Sequence, residues 1–131
     1  MLAMMHVAVH DALNAIGRRS RPYAFDAQAP GGTSPDAAVA AAAHDVLVAS
    51  FPALPPELGL TTDAAVALVE AAYAAALAAI PPGPARTRGI LIGQSAAAAI
   101  LKMRSGDGAN ATFLDFAYVP GPNPGDFRLI P

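Results

Sequence analysis

Alanine sets the limits on what this chain can fold into. It fills "AAVALVEAAYAAALAAI" and "QSAAAAI", while aromatic residues make up only 6% of the 131 residues. Alanine is the strongest helix former and has little side-chain area to bury. The 54% apolar content therefore overstates the core. A stable fold has to come from helix backbones packed close together, so the predicted class is all-α, arranged like a four-helix bundle.

The periodicity supports this. Leu2, Met5, Val9, Leu13 and Ile16 fall at helical spacing and predict a helix over about 1–16. Gly17 stands where a left-handed C-terminal cap is expected. Ser34, Pro35 and Asp36 are the N-cap, first position and first-turn acid of a second helix over about 35–51. A third is predicted over about 62–80, capped by Thr61 or Thr62, with a stripe of Val66, Val69, Tyr73, Leu77 and Ile80. Pro84 opens a fourth over about 84–105. Gly89, Gly93 and Ala97 lie four apart in that helix, in one row without side-chain bulk, where a neighbouring backbone can come close. Self-association of the chain into a homo-oligomer through this row is a second reading. Residues 1–106 are read as a helical bundle. Residues 107–131, including "FAYVPGPNPGDFRLIP", show no helical period and are read as an extended Pro/Gly-rich segment leading to further protein.

A net charge of −2 gives no electrostatic case for nucleic acid. Arg18, Arg19 and Arg21 are the only basic cluster, placed to favour the end of the first helix dipole, with an anion site as the second reading. There is no cysteine, so disulfides and thiolate chemistry are excluded. No secretory signal is visible, because the N-terminus lacks a basic region and carries two histidines and an aspartate. The longest apolar run contains Glu70 and falls short of a membrane span, so a soluble protein is expected.

The chemistry-bearing residues gather in "MLAMMHVAVHDALNAIG". His6 and His10 are one turn apart, and with His44 they are the candidate metal ligands. The competing reading is structural: His6, His10 and Asn14 form a polar row on a helix buried on several sides. Asp11 faces the other way, among Met4, Ala8 and Ala15, where a carboxylate needs a partner. No His-Glu-x-x-His pattern, Gly-x-Ser-x-Gly elbow or phosphate loop occurs. No nucleophile-and-base set is apparent, and no catalytic residue is assigned.

Three stretches together resemble the N-terminal half of bacterial vanadium-dependent haloperoxidase-like proteins, in the type 2 phosphatidic acid phosphatase superfamily. They are "AMMHVAVHDALNAI", "GILIGQSAAAAILKMRSGDG" and "YVPGPNPGDFRLIP", in that order. In the second, Gly89, Gly93, Ala97, Ile100, Arg104, Asp107 and Gly108 fall as they do in the family. In the third, Phe127 stands where members usually have Trp.

The resemblance implies a helical half that packs against a second, catalytic half of the same protein. It also implies that His6, His10, Asp11 and Asn14 form a buried polar row fixing helix packing. In the family, vanadate or phosphate is held by a Lys, an Arg-Pro pair, a Pro-Ser-Gly-His stretch and a later Arg and His. None of these has a matching position here, so the vanadate cofactor is implied for the full-length parent alone. The expected function is a non-catalytic scaffold of a halide-oxidising peroxidase. The alternatives are a phosphatase-type parent or a free-standing helical interaction module. A periplasmic or secreted parent is compatible with the resemblance.

Overall fold

A computed structural model describes residues 1–51 and 61–108. Among the described residues the fold is all-α: α1 (Leu2–Gly17), α2 (Pro35–Ser50), α3 (Thr62–Ala78) and α4 (Pro84–Met103), with no strand. The expected connector beyond Phe51 and the expected extended segment beyond Gly108 lie outside the described residues.

The helix ends follow local chemistry. The Ser34 hydroxyl accepts the Ala37 N–H at 3.2 Å, and Thr61 does the same for Ala64 at 3.2 Å. Pro35 and Pro84 occupy first-turn positions, where a missing N–H costs nothing. The end of α1 differs from expectation. Gly17 is its last helical residue, and the left-handed position falls on Arg18, with φ 45° and ψ 48°. Its N–H bonds to the Asn14 carbonyl at 2.8 Å, closing the helix.

Helix α2 is central: it packs against α1, α3 and α4, and α1 also meets α4. Among the helices, α3 packs on α2 alone. The tightest seam runs between α2 and α4. A Cβ added to Gly89 would lie 2.8 Å from the Ala37 Cβ and collide with the Ser34 carbonyl. One added to Gly93 would lie 2.8 Å from both the Ala41 Cβ and the Ala42 nitrogen, and would collide with the Ala38 carbonyl. The expected close-packing row of Gly89, Gly93 and Ala97 is thus occupied within the chain, and all three residues are buried. It is not a face open to a second copy.

The core that results is made mostly of alanine. Ala8 and Ala12 of α1 meet Ala38, Ala42 and Val46 of α2 and Ala96, Ala97 and Ile100 of α4. Among the described residues, only Val46 and Ile100 are large apolar side chains that are fully buried. The inward face of α1 follows the predicted stripe only in part for this reason: Met5, Val9 and Ile16 pack against the core without being its deepest residues. Its deepest residues are Ala8, Asp11, Ala12, Asn14 and Ala15, while Leu2 and Leu13 are 59% and 41% exposed. A helix that approaches at alanine distance turns its small side inward and leaves its leucines at the rim. On α3 the predicted stripe does face inward: Val66, Val69, Tyr73, Leu77 and Ile80 are all half-buried.

Polar ties fix the helix ends. The Ser34 N–H bonds to the Ala85 carbonyl at 3.1 Å, and Arg88 reaches the Gly32 carbonyl at 3.1 Å, joining the start of α2 to the start of α4. Arg86 donates to the Leu77 and Ile80 carbonyls at 3.2 and 3.3 Å, capping the end of α3.

The α2–α4 seam sets an expectation for substitution. Gly93→Ala should lower unfolding stability by about 1–3 kcal/mol, because the methyl meets backbone that cannot yield. That loss should appear despite the ~1 kcal/mol by which alanine outranks glycine as a helix former. Gly31→Ala, where nothing lies within 4 Å, should be near neutral. Urea midpoints of the two variants make the comparison.

Candidate functional site

The polar centre of the molecule is Asp11. It is 1% exposed, on the face of α1 that turns toward the loop after the helix. Its Oδ1 accepts the Tyr23 N–H at 2.8 Å, and its Oδ2 accepts the Ala24 and Phe25 N–H groups at 2.7 and 2.8 Å. His10 Nδ1 lies 3.0 Å from Oδ1. Three successive amides therefore converge on one carboxylate. Burial alone works against this charge, but the Tyr23, Ala24 and Phe25 amides and His10 outweigh it and hold the pKa below the ordinary aspartate value.

Asn14, one turn on, extends the clamp. Its side-chain oxygen accepts the Ser20 N–H at 2.8 Å. Further along, the Ala29 N–H bonds to the Ala15 carbonyl at 2.9 Å, and Arg18 pairs with Asp26 at 2.7 Å. The loop from Arg18 to Ala29 is thus stitched to α1, and Ala24 and Phe25 are pressed against the alanine core. Asp11 has the partner that its position demands, in loop amides rather than in another helix.

The expected polar row is corrected in two of its members. Asp11 and Asn14 are buried, whereas His6 and His10 are exposed. The histidines stand away from the core because the small side of α1 faces it. With Nδ1–H donating to Asp11, His10 Nε2 is the acceptor for the Ser20 hydroxyl, 3.3 Å away. Ser20, His10 and Asp11 thus stand in the order of a nucleophile, a base and its orienting acid, beside an open groove of about 420 Å³. The imidazole side chain is 44% exposed, and Asp11 is engaged by three amides. Through His10 the loop residue Ser20 is tied to Asp11 on the helix.

His44 is placed differently. On α2, its Nδ1 is 2.8 Å from Asp45 Oδ1, and its Nε2 is 3.1 Å from Glu70 Oε1 of α3. The Nε2 approach is too oblique for a hydrogen bond and is an ion contact. The ring stacks on Tyr73 with centroids 4.2 Å apart. Glu70 and Tyr73 are not legible as its partners in the sequence, because they come from another helix and only packing reveals them.

Among the described residues no group of three or more His, Asp or Glu side chains is placed to hold a metal ion, and His6, His10 and His44 do not form one. Of the described cations, Arg18 pairs with Asp26, Arg86 and Arg88 serve backbone carbonyls, and Arg104 pairs with Asp107. No helix among the described residues is long and apolar enough to cross a membrane.

The clamp carries a pH expectation. Because Asp11 has a lowered folded-state pKa, its contribution is complete above the unfolded value of about 3.9 and is lost as pH falls through the folded value. Asp11→Asn should flatten that acid limb in urea titrations between about pH 2 and pH 5. Asp11→Ala should cost about 2–4 kcal/mol at neutral pH, since three charge-assisted bonds go and water replaces part of them. Compared with protein-family models, with curated proteins and with solved structures, the chain matches none of them.

Proposed function

We propose that this chain is a non-catalytic helical scaffold, the N-terminal portion of a vanadium-dependent haloperoxidase-like enzyme. The observation that supports a scaffold is the inverted packing of α1 and its neighbours. Small side chains fill the core, while Leu2 and Leu13 of α1, Leu68 of α3 and Leu91 of α4 are between 41% and 66% exposed. Exposed leucines on three of the helices are apolar area that a further part of the protein could cover.

The parent enzyme is suggested by the three-part resemblance of the sequence. In such a parent the oxyanion would be held by the other half, and this half would contribute a rigid wall. The Asp11 clamp suits that role, because it fixes the loop after α1 without engaging any reacting group. A phosphatase-type parent would use this half in the same way. The interaction-module reading loses its motivation, since the Gly89, Gly93 and Ala97 row is covered by α2.

Two measurements test the proposal. The purified chain should show no halide oxidation with vanadate and hydrogen peroxide, and no hydrolysis of phosphate esters. Turnover that survives repurification would overturn the non-catalytic assignment. Genomic sequence downstream of the Pro131 codon should continue in frame into Arg-Pro, Ser-Gly-His and a later Arg and His. A stop codon there would remove the enzyme reading.

A further inference from the structure

We propose that His44 is a proton-dependent latch that fastens α3 to the rest of the bundle. The geometry starts from how α3 is held among the described residues. It packs on α2 alone among the helices, and Ala65 is its only fully buried residue. Its C-terminal end is tied by Arg86, which caps the Leu77 and Ile80 carbonyls. Between these points the polar link to α2 is His44, which meets Glu70 and stacks on Tyr73.

The two ring nitrogens give this link its pH sense. Nδ1 faces Asp45 on the same helix, and Nε2 faces Glu70 on the other. The imidazolium sets its positive charge against both carboxylates, donating to Asp45 through Nδ1–H and meeting Glu70 at Nε2 as an ion contact. The neutral ring keeps one proton, and the 2.8 Å approach to Asp45 holds it on Nδ1. Nε2 then turns a lone pair toward the Glu70 carboxylate, so deprotonation breaks the link that crosses between the helices.

Among the described residues the surroundings add no competing titration. On α2 the facing group is Asp45, and on α3 they are Glu70 and Tyr73. On α4 the residues lining the adjoining groove are Gln94, Ala98 and Leu101, which carry no charge. Burial, with the Asp45 and Glu70 charges, holds the Tyr73 phenol above its usual pKa, so it stays neutral throughout. Burial also disfavours the charged His44 ring, but Asp45 and Glu70 together outweigh it and raise its pKa. The latch is therefore fully closed below the unfolded-chain value of about 6.5 and opens as pH rises through the higher folded-state value.

Amide hydrogen exchange on the full chain tests this, corrected for the intrinsic pH dependence of exchange. From about pH 5.5 to about pH 9, α3 protection should fall relative to α4 by about two- to fivefold, the worth of a partly exposed ion pair. Glu70→Gln should abolish that fall. Its side chain is 55% exposed, so the fold should survive, with α4 protection as the check. Asp45→Asn removes the group that holds the neutral ring's proton on Nδ1, lets the Nε2–H tautomer face Glu70, and should shrink the fall. The latch is overturned if α3 and α4 lose protection in parallel, if Glu70→Gln keeps the full fall, or if Asp45→Asn keeps it undiminished.

Discussion

The approach of α4 to α2 at Gly89 and Gly93 is the constraint on which the rest depends. With the Ala38 carbonyl and the Ala41 methyl already against Gly93, the two backbones leave no room for a side chain between them. Only at that distance can Ala38 and Ala42 reach Ala96 and Ala97, and only then can Ala8 and Ala12 of α1 close the core from the third side. Each alanine offers little area, so the gain comes from many short dispersion contacts at high packing density. A wider spacing would leave the same side chains facing voids.

A core this thin in side-chain area gives hydrogen bonds a larger share in deciding the arrangement. Asp11 holds three loop amides, Asn14 a fourth, and Arg86 and Arg88 serve carbonyls at the end of α3 and just ahead of α2. Each such bond contributes about 1 kcal/mol net, somewhat more where one partner is charged. Their effect is positional as much as energetic. The Asp11 clamp carries Phe25 onto the core, and so adds an aromatic ring to a region otherwise poor in large side chains.

Much of the fold is legible in the sequence because it is written locally. Ser34, Pro35, Thr61 and Pro84 mark helix starts by their own hydrogen-bonding chemistry, and the helix bounds follow from them. The row of Gly89, Gly93 and Ala97 announces a close approach without saying which helix makes it. The inward face of α1 is misleading in the sequence, because its leucines and methionines outweigh alanine in any hydrophobic pattern. In a core built at alanine spacing Leu2 and Leu13 are displaced outward, while Met4, Met5, Val9 and Ile16 stay half-buried around it. Asp11 is recognisable as a carboxylate in need of a partner, but the partner is a loop whose amides carry no sequence signal. The link from His44 to Glu70 and Tyr73 joins residues on separate helices, which no local pattern connects.

The central claim is that backbone contact at the two glycines organises the bundle. Nuclear Overhauser spectroscopy on the isotopically labelled chain addresses it most directly. Strong cross-peaks are expected from the Gly93 α-protons to the Ala41 methyl and from the Gly89 α-protons to the Ala37 methyl. Their absence, with all four helices intact by chemical shift, would mean that α2 and α4 do not meet at these glycines. The alanine core could then not form.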